Sequence, residues 1–266
     1  MSSIKINKKL QHIIYKEKVL AYAASRITES YVAYPSNLDD CKEIIKFSIL
    51  NNLTICPRCS GYSFADVILN NGNLVMNFSK MNLVKDFNPN NGQIIVEPGV
   101  CLSEVLLLSL ALNFTLVACP GGSDVSIGGA IANNVHGKDS WKVGNFGENI
   151  VEIKLLKANF EIVSIRKEEN NELFEAVVSG LGLIGIIIEV TLELKKIPSP
   201  FVSISTIPTS NLQNSIKVIE ESKENYDFIV TWSDVFPKKT SMGRGFVSRS
   251  KSVSYTHLTL PTNREV

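Results

Sequence analysis

The sequence has no excess of charge of either sign, and this absence removes two classes of partner. Its 27 lysines and arginines balance 26 aspartates and glutamates, which leaves a formal net charge of +1. Binding to nucleic acid or to an anionic membrane surface needs a strongly basic field, and this composition supplies none. We therefore expect no nucleic-acid partner.

Long hydrophobic runs are also missing. The apolar stretches 105–112 and 181–190 are much shorter than the roughly 20 residues that a membrane-spanning helix needs. Lysines occur in the first 18 residues, but no uninterrupted apolar segment follows them, so a signal peptide is not predicted. These absences favour a cytoplasmic protein with no transmembrane segment.

Cysteine is scarce, with five residues scattered along the chain. An odd, dispersed set argues against a disulfide framework. Cys56 and Cys59 form a C-x-x-C pair, which by itself could indicate zinc or dithiol chemistry. No second cysteine or histidine pair completes a tetrahedral site, so we predict no metal centre.

Histidine is scarcer still, with three residues in the chain. His12 lies among apolar neighbours, and we predict that it is a helix residue at the edge of the core. His136 is followed by Gly137 and Lys138 after a run of small residues. Taken alone, its position is equally consistent with packing and with function.

What the sequence does contain is an irregular mixture of helix and strand patterns, which predicts the α+β class with mixed sheets. A boundary between domains is expected near Pro198 and Pro200, because a new β-α-β pattern begins after these prolines. The predicted helices cover about 39–50, 103–113, 171–179 and 211–222, and the predicted strands 53–56, 74–78, 93–97, 115–119, 151–158, 162–165, 186–194, 201–207 and 227–232.

Two glycine-containing loops follow predicted strands, at 58–66 and 120–138, and a third glycine turn lies at 180–185. A pyrophosphate needs main-chain N–H donors at close range, and glycine allows the main chain to approach it. A helix that starts at Gly128 and Gly129 would add its dipole, and the Ser63 and Ser126 hydroxyls are further donors. One such loop would indicate turns only, whereas three together favour a nucleotide cofactor. Neither the Rossmann nor the P-loop pattern is present.

The segment 120–138, followed by Gly144-Asn-Phe-Gly147, resembles the signature of the FAD-linked oxidases with a PCMH-type, vanillyl-alcohol-oxidase-like FAD domain. Pro-Gly, Gly-Gly-Ala-Ile-Ala and His-Gly-Lys occur at the spacing of that family, and the similarity runs from about residue 36 to 249. The resemblance implies an FAD-binding domain of two α/β subdomains at 1–198 and the start of an α+β substrate domain at 199–252. Within the family, the sequence resembles the polyprenylphosphoryl-ribose oxidases.

The resemblance also implies roles for individual residues. His136 and Lys138 are expected to be catalytic, at the reactive edge of the flavin, with His136 contacting the cofactor as well. Trp232 is expected on the substrate side of the same site. The implied cofactor contacts are Ser63, Phe64, Ala65, Gly121, Gly122, Ser126, Gly128, Gly129, Ala132, His136 and Ile187.

This chain departs from the family pattern in its first loop. Cys59 and Ala65 stand where relatives usually have glycine, and Tyr62 replaces a common arginine or histidine. Some members attach FAD through a histidine in that loop. Because this loop has none, the resemblance implies FAD held without a covalent bond.

The reaction that the resemblance implies is oxidation of a secondary alcohol in a small sugar-type substrate, free or linked to a lipid phosphate, with hydride transfer to flavin N5. The electron acceptor is not indicated. Three alternatives stay open: an aldonolactone or 2-hydroxy-acid oxidase of the same superfamily, a non-catalytic flavin-binding protein, and a structural α+β domain without flavin.

The last segment, 253–266, has no continuity with the sequence before it and resembles a translated adaptor tail. We assign no function to this segment or to His257. The expectation is that the natural protein continues past Lys251.

Overall fold

A computed structural model describes residues 6, 8–64, 66–236 and 241–254, which form three β-sheets packed with helices. This mixed content and the several sheets confirm the α+β class. Ala65 and most of the predicted tail, residues 255–266, lie outside the described residues. Within the described part, no helix is both long enough and apolar enough to cross a membrane.

The first sheet has the strand order β1-β2-β4-β3, with an antiparallel β1–β2 hairpin and parallel pairing of β4 with β2 and β3. Its elements are β1 (Ile14–Leu20), β2 (Ile27–Ala33), α1 (Leu38–Leu50), β3 (Ile55–Arg58) and β4 (Leu74–Asn77). Helix α1 starts where the Asn37 side chain accepts a hydrogen bond from the Asp40 N–H at 2.9 Å. The helix buries Ile44 and Phe47 against this sheet.

The second sheet has six antiparallel strands, in the order β5-β6-β10-β8-β9 with β7 paired to the far end of β10. Its strands are β5 (Val84–Asn88), β6 (Gln93–Val96), β7 (Phe114–Leu116), β8 (Ile150–Leu156), β9 (Ile162–Ile165) and β10 (Ile186–Lys196). Strand β10 spans 11 residues and pairs with β6, β7 and β8, and its six apolar side chains are all buried.

Helices α2 (Leu102–Leu110), α3 (Ile127–Ala132) and α5 (Asn171–Val177) complete a separate hydrophobic core with this sheet. The short helix α4 (Ser140–Val143) has no buried residue. The small residues of α3 let it lie deep in the protein, with Ile127 and Ile131 fully buried beside Phe146. Helix α3 is therefore fixed from the core side and presents its other side to the loop after β3.

A third, three-stranded antiparallel sheet in the order β11-β13-β12 follows the second one. Its elements are β11 (Val202–Thr209), α6 (Leu212–Ser222), β12 (Phe228–Ser233) and β13 (Gly245–Ser252). The boundary near Pro198 and Pro200 falls between the end of β10 and the start of β11, and as a domain limit it stays a prediction.

Two details of the sequence interpretation are wrong. His12 is an exposed turn residue before β1, not a helix residue, because β1 pairs with β2 from Ile14 onward and leaves only a turn before it. The strand expected at 115–119 is β7 at Phe114–Leu116, and residues 118 and 119 are held by buried side chains instead of a strand partner.

Ser179 adopts a left-handed main-chain conformation, with φ of 74°. Its side chain is exposed, and its N–H caps α3 by donating to the Ile131 carbonyl at 3.0 Å. A left-handed non-glycine residue costs of order 1 kcal/mol or more. We expect Ser179→Gly to raise the free energy of unfolding by about 0.5–1 kcal/mol in urea titration. Ser210→Gly, at an exposed position without positive φ, is the control. This substitution should lower the free energy of unfolding.

Candidate functional site

A cleft lies between the loop after β3, which we call the first loop (residues 58–64), and helix α3. Its cavity volume is about 200 Å³, and the cleft is partly open to solvent. Most of its surface is apolar. The lining residues are Pro57, Arg58, Cys59, Ser60, Gly61, Tyr62, Ser63, Phe64, Val67, Ile68, Phe78, Pro98, Val125, Ser126, Gly128, Gly129, Ala132, Asn133, Val135, Leu181, Gly182, Gly185 and Ile187.

Hydrogen bonds join the two walls of the cleft directly. The Ser60 N–H donates to Ser126 Oγ at 3.3 Å, and the Ser126 N–H donates to Ser60 Oγ at 2.9 Å. Farther along, Asn133 Nδ2 donates to Ser63 Oγ at 3.3 Å and to the Gly129 carbonyl at 2.9 Å. These reciprocal contacts hold the first loop at a fixed distance from α3.

Glycine is required in α3 because the wall is closely packed. A Cβ at Gly128 would lie 2.9 Å from Pro98 Cβ and 3.0 Å from Cys59 Sγ. At Gly129, which lines the open side of the cleft, the nearest atom to a Cβ would be Ser126 Oγ at 3.1 Å. The glycine pair therefore allows both the approach of the first loop and the opening of the cleft.

The first loop offers main-chain donors to a ligand. Within the described part of the chain, no protein group accepts a hydrogen bond from the N–H of Gly61, Tyr62, Ser63 or Phe64. Successive free N–H groups in such a loop form an anion-binding concavity. The guanidinium of Arg58 lies beside Gly61, with Nη2 at 2.5 Å from where a Cβ would stand. The cleft thus combines main-chain donors with a permanent cation.

Helix α3 contributes less to anion binding than its sequence suggests. Its first two N–H groups, at Ile127 and Gly128, donate to the carbonyls of Val100 and Pro98 at 2.8 Å each. Cys59 Sγ lies 3.0 Å from where a Cβ at Gly128 would stand. Because the first two donors of α3 already have protein partners, the free main-chain donors of the cleft are those of the first loop.

Seven predicted cofactor contacts come together in the cleft: Ser63, Phe64, Ser126, Gly128, Gly129, Ala132 and Ile187. Gly121 and Gly122 lie instead on an exposed loop outside the cleft lining. Arg58, Pro98 and Asn133 were not singled out from the sequence, although Arg58 opens the first glycine loop. The glycine turn at 180–185 reaches the cleft through Leu181, Gly182 and Gly185.

His136 and Lys138 lie on an exposed turn directly after Val135, which lines the cleft. We call residues 136–139 the His-Gly-Lys turn. Gly137 forms an antiparallel bridge with Pro120, and a Cβ there would lie 2.3 Å from the Cys119 carbonyl oxygen, so only glycine fits. The Lys138 side chain reaches back beside Gly121, with Cε 3.6 Å from a Cβ built on that glycine.

The third sheet contacts this turn. The Ile229 N–H of β12 donates to the Lys138 carbonyl at 3.0 Å, and Lys142 pairs with Asp227 at 2.9 Å. Trp232, farther along β12, is 64% exposed, and its ring centroid lies 6.5 Å from that of Phe246. Trp232 is outside the cleft lining but on the strand that touches the His-Gly-Lys turn.

The C-x-x-C cysteines point into different surroundings. Cys56 packs beside Val32 and Val75, whereas Cys59 packs against the core of the first sheet and the start of α3. Burial raises the pKa of the Cys56 thiol, and burial raises that of Cys59 to about 12. Both thiols are protonated at neutral pH and are poor nucleophiles. Among the described residues, no group of three or more His, Cys, Asp or Glu side chains is arranged to hold a metal ion.

Comparison with known proteins shows which family this part of the chain belongs to. Residues 30–166 match the family model described as "FAD binding domain". That segment contains the first loop, α3 and the His-Gly-Lys turn.

Curated relatives match a longer stretch of the chain. Decaprenylphosphoryl-beta-D-ribose oxidase of Mycolicibacterium smegmatis is 29% identical over 197 residues, 73% of this chain and 43% of that protein. D-arabinono-1,4-lactone oxidase of Candida glabrata is 26% identical over 224 residues, 79% and 40% of the two chains. L-gulonolactone oxidase of Bos taurus is 26% identical over 192 residues, which are 70% of this chain and 43% of that protein. The chain spans about two fifths of the length of these relatives.

Proposed function

Because the chain belongs to the FAD-binding domain family, with the PCMH-type fold, we propose that it serves an oxidase that removes a hydride from a secondary alcohol of a sugar-type substrate. FAD is the cofactor of the family. The observation that carries the proposal is the cleft, which is lined by Arg58, by the first loop with its free main-chain donors and by apolar residues, with the His-Gly-Lys turn at its edge.

The residues of the cleft fit FAD. The N–H groups of Gly61 to Phe64 would bind the pyrophosphate oxygens, and the Arg58 guanidinium would balance their charge. Ile187 and the glycine turn at 180–185 would contact the flat apolar parts of the cofactor. The flavin supplies the hydride acceptor when bound.

The protein's own contribution to the reaction lies in the His-Gly-Lys turn. Loss of a hydride from a carbinol carbon leaves a carbonyl, and the hydroxyl proton must pass to a base. We assign this proton to an imidazole nitrogen of His136, which the turn holds next to the cleft. Lys138 Nζ would stabilise negative charge on the reduced cofactor or bind a substrate phosphate. Trp232 would pack against the substrate from the third sheet.

The substrate class rests on the names of the relatives. One relative is named for a ribose derivative joined to a decaprenyl phosphate, and others for arabinono- and gulonolactone. A ribose-type substrate is the leading proposal, and an aldonolactone-type oxidation is the second candidate, favoured by the number of lactone oxidases among the relatives.

We expect the chain, purified with added FAD, to show flavin absorption bands that move to the supernatant on acid precipitation. The physical reason is that the first loop contains no histidine to form a covalent bond to flavin. Flavin retained in the pellet would contradict the non-covalent assignment, and a colourless protein would contradict the assignment of the cleft.

Substrate oxidation is tested by mixing the FAD-loaded chain with sugar alcohols and aldonolactones without oxygen and following the bleaching of the flavin band. Bleaching by a ribose-type alcohol but not by lactones supports the leading proposal, and the reverse result supports the second. Tight flavin binding without bleaching by either class would show that this chain binds flavin but does not itself oxidise either class of substrate.

A further inference from the structure

Asp139 is a buried carboxylate that the proposed chemistry leaves without a role. Its residue is only 1% exposed, although it directly follows the exposed Lys138. Burying a carboxylate is costly unless hydrogen bonds compensate the charge. A buried charge next to a proposed catalytic turn therefore needs an explanation from its contacts.

Its contacts tie two segments together. Both carboxylate oxygens accept from the Cys119 N–H, each at 3.2 Å. The main-chain carbonyl of Asp139 accepts from the N–H groups of Lys142 and Val143 and so starts α4. Oδ1 also lies 2.5 Å from where a Cβ at Gly137 would stand, so the carboxylate is packed under the glycine of the turn.

The charged surroundings balance the carboxylate only in part. Lys195, whose Nζ donates to the Val117 carbonyl at 3.2 Å, attracts it, and Asp227 of the third sheet repels it. Burial raises the pKa of Asp139, while the Cys119 N–H and Lys195 act in the opposite direction. The charge of Asp139 also raises the pKa of the Cys119 thiol, whereas the charge of Lys138 lowers it.

Asn149, a neutral residue nearby, shows that anchoring this stretch of chain does not require a charge. Asn149 holds Ala118, the residue before Cys119, by accepting from its N–H and donating to its carbonyl at 3.1 Å each. Asn149 is also fully buried. A neutral amide thus anchors this stretch of chain one residue away, which makes Asn149 a matched comparison for Asp139.

We propose that Asp139 is a positioning residue, which fixes the His-Gly-Lys turn against Cys119 so that His136 and Lys138 keep their place beside the cleft. The proposal rests on the proposed function of that turn. Asp139 touches neither the cleft nor the side chain of His136 in the contacts described, so it acts through the main chain of the turn.

The test compares Asp139→Ala, Asp139→Asn and the matched variant Asn149→Ala in the FAD-loaded chain. Asp139→Ala should slow flavin reduction by substrate about 100-fold, because a displacement of about 1 Å has effects of that size. Asp139→Asn keeps one acceptor for the Cys119 N–H, so its rate of flavin reduction should be close to that of the parent chain. Asn149→Ala should lower the thermal unfolding temperature but leave the reduction rate per bound flavin near that of the parent chain.

Hydrogen exchange gives a readout that does not depend on activity. Amides of residues 135–142 should exchange about 10-fold faster in Asp139→Ala, as expected for loss of about one charged hydrogen bond, and at the parent rate in Asn149→Ala. Equal acceleration in both alanine variants would overturn the proposal, as would an unchanged reduction rate in Asp139→Ala. If the parent chain is reduced by no sugar substrate, the proposed function fails, and hydrogen exchange alone decides whether Asp139 holds the turn.

Discussion

A Gly129→Asp chain purified with added FAD is expected to be nearly colourless. Gly129 lines the cleft on α3, so an aspartate there would place a carboxylate in the space proposed for the pyrophosphate. Two like charges about 5 Å apart repel by roughly 3 kcal/mol at an effective dielectric constant of about 20. This corresponds to a rise of at least about 100-fold in the dissociation constant for FAD.

The charge can be separated from the bulk of the side chain with Gly129→Asn, which has the same shape and no charge. We expect Gly129→Asn to weaken FAD binding by only about 10-fold, since the Ser126 hydroxyl at 3.1 Å from the new Cβ has to shift. Flavin fluorescence titration measures both constants. Equal affinities for the two variants would mean that no phosphate lies near Gly129.

His136→Ala is expected to keep FAD and lose reduction by substrate. His136 is exposed on the His-Gly-Lys turn and lies outside the cleft lining, so its removal should change the FAD dissociation constant little. Removal of a general base typically costs about 10²–10⁴-fold in rate. Anaerobic stopped-flow measurement of flavin bleaching gives this rate directly.

The matched control is His12→Ala, because His12 is also exposed but lies before β1, outside the cleft and the turn. This variant should be reduced at the parent rate. If His136→Ala is reduced as fast as His12→Ala, the base is another group. Lys138→Met would then be the next variant to measure.

Local sequence patterns predicted α1, the β8–β9 hairpin and β10 well, because each has clear apolar periodicity or a turn between its strands. They did not indicate β1, β2, β5 or β13. In β1 and β2 the buried positions do not alternate regularly, since the hairpin is stabilised by pairing and by contacts with distant segments. Tertiary context decides such strands, and a single sequence does not display it.

The glycine loops were visible in the sequence because close main-chain approach restricts the residue type at Gly128 and Gly137. The details that depend on partners were not visible. The sequence suggested that the dipole of α3 would bind the anion, but Pro98 and Val100 already occupy its first donors. Likewise, nothing in the local sequence indicates that Asp139 is buried while its neighbour Lys138 is exposed.

The serine pair that joins the walls of the cleft has a consequence for folding. Ser60 and Ser126 are 66 residues apart in the chain and belong to segments that pack on different hydrophobic cores. Neither core alone contains a complete cleft, so the binding surface exists only after the two have docked. A ligand that binds only this docked state stabilises it by mass action, by about 2.7 kcal/mol at 100 times the dissociation constant. The cofactor thereby acts as a thermodynamic link between the two walls of the cleft, in addition to the core contacts that the two sheets already share through Leu156, Ile186 and Ile188.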